Sequence, residues 1–458
     1  MEQSNQQVMY DVDEYTTNPL IYSKKYKTIK NLEYTILTYN KNMVCMDDKE
    51  TGKYRSVIFS KGKLVSFSPP KSIPNELFIR NRSYNTEDSL LHNKNKIPEN
   101  VHTTETIEGT MINLFYDFPN ETWEIATKNA VGGRYWYFRN NYNLTSDSCY
   151  TTCNMPGYNN PPRTFRDMFM EAIGEYDYTD LNHTKLVADL PKDCCYSFVL
   201  QHPENHIVNE IDHPRIFLVA AYHIHENTSR YLSLLYMMNL TIIRELCKNS
   251  IIYLPTTIKS SDKLLANKPG FKTFDEILCS QSQPVSPNTY EELEVHLNYC
   301  ANYAHMMGIT LIDTTTGERT TLENKQYNYK KELRGNHPNL QYQYLCLWRI
   351  QKIPEFLKHF PVYRDLFRNF EDQLDRFINN IQMVYYMYYI KKQRDIEYSK
   401  HIMYFVQRIH HELFIPSLKT PNRTIITRPV VRNWLIKELD PGALLSHINQ
   451  PIIINGCA

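Results

Sequence analysis

The sequence predicts an α+β fold, with antiparallel sheets up to about residue 337 and a mostly α-helical C-terminal domain after it. Two patterns carry the prediction. Between Tyr34 and Ile125, short β-branched and aromatic runs alternate with turn-like clusters. Beyond about Pro338, apolar residues recur at three- and four-residue spacing, the period of a helix. Size and composition agree: 458 residues with 35 Tyr and only 13 Gly describe an ordered chain long enough for two or three domains. The boundaries fall at a polar, irregular N-terminal segment over 1–30, a sheet-rich domain over 31–337 and a helical domain over 338–458.

The elements follow in order. Tyr34–Tyr39 is a strand. Tyr54–Phe59 and Lys63–Phe67 flank Ser60-Lys61-Gly62 as a hairpin. Glu108–Asp117 and Thr122–Ala126 flank Phe118–Glu121 as a second one. Thr164–Glu175 is a helix with Phe165, Met168, Phe169 and Ala172 on one face. Cys195–Leu200 and Arg215–Tyr222 are buried-type strands, and Tyr231–Leu240 is a mixed apolar run. Gln281–Asn288 is a Pro-containing loop leading into a helix over Tyr290–Ala304. Gly308–Asp313, a turn at Thr316-Gly317 and Thr320–Leu322 make a late hairpin. Leu366, Phe370, Leu374, Phe377, Ile378, Ile381 and Tyr385 share a helical face, and Tyr404, Ile409 and Leu413 mark a further helix.

Lys+Arg at 51 against Asp+Glu at 50 leaves no global field to announce a nucleic-acid partner, although a local basic groove remains compatible with it. The start of the chain is polar and lacks a secretory core, and apolar runs such as Ile216–Tyr222 are too short to span a bilayer. These features predict a cytoplasmic protein with no membrane partner and with reduced cysteines. No Cys-x-x-Cys pair exists, so Cys149, Cys153, Cys194 and Cys195 read as small thiols rather than metal ligands. His202-Pro-Glu-Asn-His206 reads as a turn, and His223 and His225 as packing or surface residues. The Tyr385–Tyr389 run with Lys391, Lys392 and Arg394 fits either an aromatic-basic surface for single-stranded RNA or a helix packed on both sides.

Several segments stand in an order that resembles ATP-dependent RNA ligases of the phage tRNA-repair type. Val101–Asp117, with Thr106-Ile-Glu-Gly-Thr110, resembles the nucleotide-attachment element Lys-x-Asp-Gly-Ser/Thr. Arg55 lies where the family has an arginine before a strand, and Lys71 where it has a basic residue ahead of the attachment element. Trp123–Gly133, with Lys128, resembles the Thr-Arg/Lys-Gly-Ser stretch. Tyr196–Val208, with Asn205, resembles Phe-Glu-x-x-x-Pro-x-Asn-Arg-Ile-Val. Met307–Asp313 resembles Glu-Gly-x-Val, and Thr321–Tyr327 resembles Lys-Ile-Lys-x-x-x-Tyr. The resemblance covers about residues 34–335. It implies a nucleotidyltransferase domain, RNA as partner, and ATP and Mg as cofactors.

In the chemistry so implied, a neutral lysine attacks the α-phosphorus of ATP, carboxylates hold the metal ion and two further lysines hold the phosphate. Here Thr106 stands at the nucleophile position, and Val199 and Met307 at the metal-carboxylate positions. Thr321 and Glu323 stand at the phosphate-lysine positions, and Glu108 replaces an aspartate. Threonine cannot form the phosphoramidate, Val199 and Met307 cannot bind a hard cation, and Glu323 would repel phosphate. Arg55, Lys71, Glu108, Gly109, Lys128 and Asn205 remain as nucleotide or phosphate contacts. The expectation is a ligase-like protein that binds RNA ends or nucleotide without adenylylation and has no metal site. One alternative is a working ligase, or one that only seals adenylylated RNA, with Lys128 or Lys94 as nucleophile. The other is a structural or virion-associated protein. An Asn-, Tyr- and Ile-rich composition with a degenerate ligase pattern resembles proteins of large cytoplasmic DNA viruses, which implies viral protein partners.

Overall fold

The computed structural model describes residues 8–45, 48–83, 96–135, 163–175, 180–257, 289–299, 306–335, 337, 339–419, 421 and 423–450. Lys94, Cys149, Cys153, the loop expected over Gln281–Asn288 and the end of the helix expected to reach Ala304 lie outside them. The described residues fall into two compact units, one up to Lys331 and one from Glu332.

The first unit contains three antiparallel sheets. A four-stranded sheet runs in the order β2 (Ile21–Lys27), β3 (Glu33–Tyr39), β4 (Val57–Ser60), β5 (Lys63–Phe67). A seven-stranded sheet runs β1 (Met9–Asp11), β12 (Thr228–Leu232), β11 (Arg215–His225), β10 (Cys194–Gln201), β7 (Thr110–Asp117), β8 (Thr122–Thr127), β9 (Ala130–Val131). A three-stranded sheet runs β14 (Arg319–Glu323), β13 (Gly308–Asp313), β6 (Val101–Glu105).

Strand periodicity explains the layering, because alternate residues face opposite sides of a sheet. Ile112 and Leu114 on β7, and Tyr196, Phe198 and Leu200 on β10, are buried on one face of the large sheet. The helices Phe165–Ala172 and Thr241–Lys248 contribute to the same core. Phe115, Cys195, Ala220 and Tyr222 pack on the other face against Ile36, Val57, Phe59 and Phe67 of the small sheet. The three-stranded sheet closes a third core with Phe78 and Leu293 from the helices Asn75–Ser83 and Tyr290–Tyr299.

All three hairpins form as expected. Ser60–Lys63 turns through Lys61 at φ 48° and Gly62 at φ 80°, the pair of positive angles a two-residue hairpin needs. The helix expected from Thr164 starts with a capping box, Thr164 and Asp167 each accepting from the other's backbone N–H. Residues 8–30, expected to be irregular, instead hold β1 and β2. All seven residues of β2 pair with β3, from Ile21↔Tyr39 to Lys27↔Glu33. As an exposed edge strand, β2 carries lysines rather than an apolar stripe, which hides it from periodicity. Tyr231–Leu240 divides between the end of β12 and a helix at Leu234–Asn239 that Ser233 caps. Burial pushes the Cys194 and Cys195 thiols up to about 12, as befits buried, unreactive cysteines.

In the second unit, the helix Arg364–Tyr385 buries Phe367, Phe370, Leu374, Phe377, Ile378, Ile381, Val384 and Tyr385. With no Gly or Pro to break it, it runs 22 residues. Helices Leu340–Arg349, Lys400–Ile409, Arg428–Glu438 and Pro441–Ile448 complete an aromatic core. Tyr404, expected on the apolar face of its helix, is half exposed; Ile402, Phe405, Val406 and Ile409 form that face. The Tyr385–Tyr389 run is split. Tyr385 is buried and shares a 3.1 Å hydrogen bond with His410, whereas Tyr386 is exposed with Lys391 over its ring. Among the described residues, no helix is long and apolar enough to cross a membrane.

Candidate functional site

A pocket of about 740 Å³ opens in the first unit where the three-stranded sheet meets the β7–β10–β11 part of the large one. Residues Thr106–Gly109 connect β6 to β7 and so join the two sheets. The connector is fixed by its backbone. Thr106 N donates to Gly308 O at 2.8 Å and Glu105 N to Thr256 O at 2.9 Å. The Glu105 carboxylate accepts from Thr256 N and Oγ1 at 2.9 and 2.8 Å. Gly109 lies hard against β10: a Cβ there would sit 2.3 Å from Leu200 O and 2.7 Å from Val199 Cγ1. Only glycine permits that approach.

Arg55, Thr106, Gly109, Val199, Met307, Thr321 and Glu323, spread from one end of the first unit to the other, all line this pocket. Register explains the gathering. Val199 pairs with Met111, the second residue of β7 after the connector, and Thr321 pairs with Thr310. The Thr106 and Thr310 hydroxyls are 2.7 Å apart. Thr321 and Glu323 are two apart on β14 and face the same side.

The other candidates stand elsewhere. Glu108 is buried and points away from the pocket. Its Oε1 accepts from Ile207 N and Val208 N at 2.6 and 2.9 Å, and its Oε2 from Asn209 N at 3.0 Å. The Tyr327 hydroxyl also bonds to it; burial first, then the Glu108 charge and this bond, push that phenol well up. Asn205 Nδ2 donates to Thr110 Oγ1 at 2.8 Å. Both residues brace the loop after β10. Lys71 Nζ is spent on the Val44 and Cys45 carbonyls at 3.1 and 2.9 Å. Lys128 lies over the Tyr39 ring at 5.0 Å, outside the pocket lining. Burial, then the charges of Arg55 and Lys41, hold its ammonium below the usual range.

The sequence reading did not single out Arg319, Lys325 or Glu294, which also line the pocket. Arg319 had a usable signal, since it precedes Thr321 by two on a strand and so shares its face. Lys325 faces Glu294 at 3.8 Å and is largely exposed.

The lining is mixed, with Arg55, Arg319 and Lys325 as its cations and Glu105, Glu294 and Glu323 as its acids. The lining does not fit a divalent metal. Val199 and Met307 offer no side-chain oxygen, Glu105 is tied to Thr256, and Glu323 accepts from Asn328 Nδ2 at 2.7 Å. Among the described residues no cluster of three or more His, Cys, Asp or Glu is placed to hold a metal ion.

No protein-family model matches the chain, and no curated protein matches it. Among solved structures it is similar to an archaeal ATP-dependent RNA ligase, at 10% identity and TM-score 0.31, over 76% of this chain and 68% of that one. It is also similar to a Naegleria gruberi RNA ligase variant with ATP and Mn, at 7% identity and TM-score 0.29, over 72% and 98%. A third is the Naegleria gruberi RNA ligase with PPi, at 9% identity and TM-score 0.28, over 68% and 98%. Likeness at this level is too slight to transfer a residue role, a ligand or an activity.

Proposed function

We propose that this chain is an RNA-ligase-like protein, a degenerate member of the phage tRNA-repair type, that binds RNA ends or nucleotide without forming a protein adenylate. One observation carries the reading: of the eleven positions picked out by the motif resemblance, seven, from Arg55 to Glu323, line a single pocket, while Lys71, Glu108, Lys128 and Asn205 do not. A chance string of weak motifs would scatter over the fold. The residues at the positions of chemistry are Thr106, Val199, Met307, Thr321 and Glu323, and none can act as amine nucleophile, supply a pair of metal carboxylates or attract phosphate. The Asn-, Tyr- and Ile-rich composition supports a viral setting, in the cytoplasm or the virion, with viral protein partners.

The test is incubation of the full chain with α-labelled ATP and Mg, then denaturing gel analysis, beside RNA binding by fluorescence anisotropy. The expected result is no denaturant-resistant label and measurable RNA binding. A label lost on mutating Lys325, the lysine lining the pocket among the described residues, or Lys128 would restore the active-ligase reading. If neither RNA nor ATP raises the thermal midpoint, the chain is a structural protein, because any ligand of the folded state must stabilise that state.

A further inference from the structure

Arg319 and Arg55 make an arrangement that needs an anion. Arg319 begins β14 and reaches the pocket lining together with Arg55. Its Nε is closed off from solvent and has no hydrogen-bond acceptor, while the side chain as a whole keeps partial exposure. Its electrostatic neighbours are the phenols of Tyr10, Tyr222 and Tyr231 and the guanidinium of Arg55. Among the described residues no carboxylate forms an ion pair with either arginine. The adjacent Glu318 is committed to Arg82, at 2.9 Å, and to Lys49. Lys128 stands near enough to Arg55 to feel its charge and adds charge of the same sign.

Enclosed charges are ordinarily paired, since an unpaired one forfeits its hydration for nothing. Glu105, Glu294 and Glu323 share the lining but are bonded to Thr256, Lys325 and Asn328, so the two mutually repelling guanidiniums have no ion-pair partner among the described residues. Guanidinium forks suit phosphate oxygens, which they grip through two parallel hydrogen bonds. We infer that Arg55 and Arg319 together hold a phosphate group of the pocket's ligand, and that they do so without a divalent metal. The inference rests on reading the pocket as a ligand site. It assigns the phosphate contact to Arg319 rather than to the positions of Thr321 and Glu323.

The test is calorimetry on the full chain in EDTA with three probes: inorganic phosphate, pyrophosphate, and a short RNA with or without a 5′-phosphate. The expected result is binding of a phosphorylated probe in EDTA, weakened about tenfold or more by Arg319→Gln and by Arg55→Gln. The RNA lacking the phosphate should bind Arg319→Gln and wild type alike. Which probe binds tightest separates a free phosphate or pyrophosphate ligand from an RNA terminus. Arg319→Lys keeps the charge without the fork, and a thermal scan of the ligand-free variants checks their folding. Arg319→Gln should hold or raise the midpoint, because it removes an unpaired charge. If phosphorylated RNA binds Arg319→Gln as tightly as wild type, or binds only with added metal, this inference fails while the RNA-end reading stands. If no probe binds, both fail.

Discussion

Glu108 is expected to act as the anchor of the loop after β10, not as a ligand contact, and Glu108→Gln separates the two roles. One carboxylate collects three backbone donors, Ile207 N at 2.6 Å, Val208 N at 2.9 Å and Asn209 N at 3.0 Å, besides the Tyr327 hydroxyl. Glutamine keeps the length of the side chain, but one of its two terminal atoms becomes a donor. Whichever way the amide is turned, at least one backbone N–H faces that donor. A hydrogen bond to a charged acceptor contributes about 1.5–3 kcal/mol and one between neutral groups about 0.5–1.5 kcal/mol. Losing one and weakening the others should ease loop opening by about 2–4 kcal/mol. At about 1.4 kcal/mol per tenfold, amide exchange over Ile207–Asn209 should rise roughly 30- to 700-fold. Hydrogen-exchange mass spectrometry on the folded chain reads this directly. Glu108→Asp retains the charge but draws it back by one methylene, and should loosen the same amides. Unchanged exchange combined with lost ligand binding would refute the anchor and return Glu108 to the ligand.

Three further predictions follow from the same contacts. Gly109→Ala should lower the unfolding free energy of the first unit, read by urea denaturation, by about 1–3 kcal/mol or more, since the new Cβ meets backbone that cannot yield; an unchanged midpoint would mean the connector does not press on β10. Thr106→Lys should cost only about 1 kcal/mol, the 2.7 Å hydroxyl contact with Thr310, because the longer side chain has the pocket to enter; unfolding of this variant would show the wall to be closed. The second unit should lose stability on acidification. Burial holds His401, His447 and His410 below their ordinary value, with the facing His447 adding to the effect on His401 and His411 to that on His410. A base depressed on folding takes up its proton more readily in the unfolded chain. Its contribution is therefore full above about pH 6.5 and falls as pH drops from there to the folded-state value. His401 Nε2 and His447 Nδ1 are 2.9 Å apart, so His401→Phe should flatten the fall of the thermal midpoint between about pH 6.5 and 5; an equal slope in the variant would exclude this pair as its source.

Much of the fold was legible because it is written in local periodicity. The hairpin through Gly62, the capping box at Thr164 and the long apolar stripe from Phe367 to Tyr385 all declare themselves within a few residues. What periodicity could not show was tertiary. The edge strand β2 has no buried stripe, so its partner β3 decides its conformation. The lengths of motif spacing pointed to the positions that line the pocket, but not to which retained polar residues face it. Lys71 and Glu108 keep the residue types of a phosphate site and yet spend them on backbone groups, which only the three-dimensional path of the 44–45 and 207–209 segments reveals. Arg319 was missed for the converse reason: no motif named it, and alternation along β14 alone put it beside Thr321.

The division between these groups separates residues that hold the pocket walls from residues that only line them. The pocket walls are held by Thr106 N on Gly308, Glu105 on Thr256, Gly109 against Leu200 and Glu108 on the loop after β10. All four contacts use backbone on both sides or a carboxylate bound to backbone, and among the side chains of Val199, Met307, Thr321 and Glu323 only Val199 takes part, through its Cγ1 against Gly109. Met307, Thr321 and Glu323 line the pocket without holding these walls, so replacing them costs the fold little, whereas Val199 is buried against Gly109 and is limited by packing as well. Gly109 and Glu108 are limited by the fold whether or not any reaction occurs.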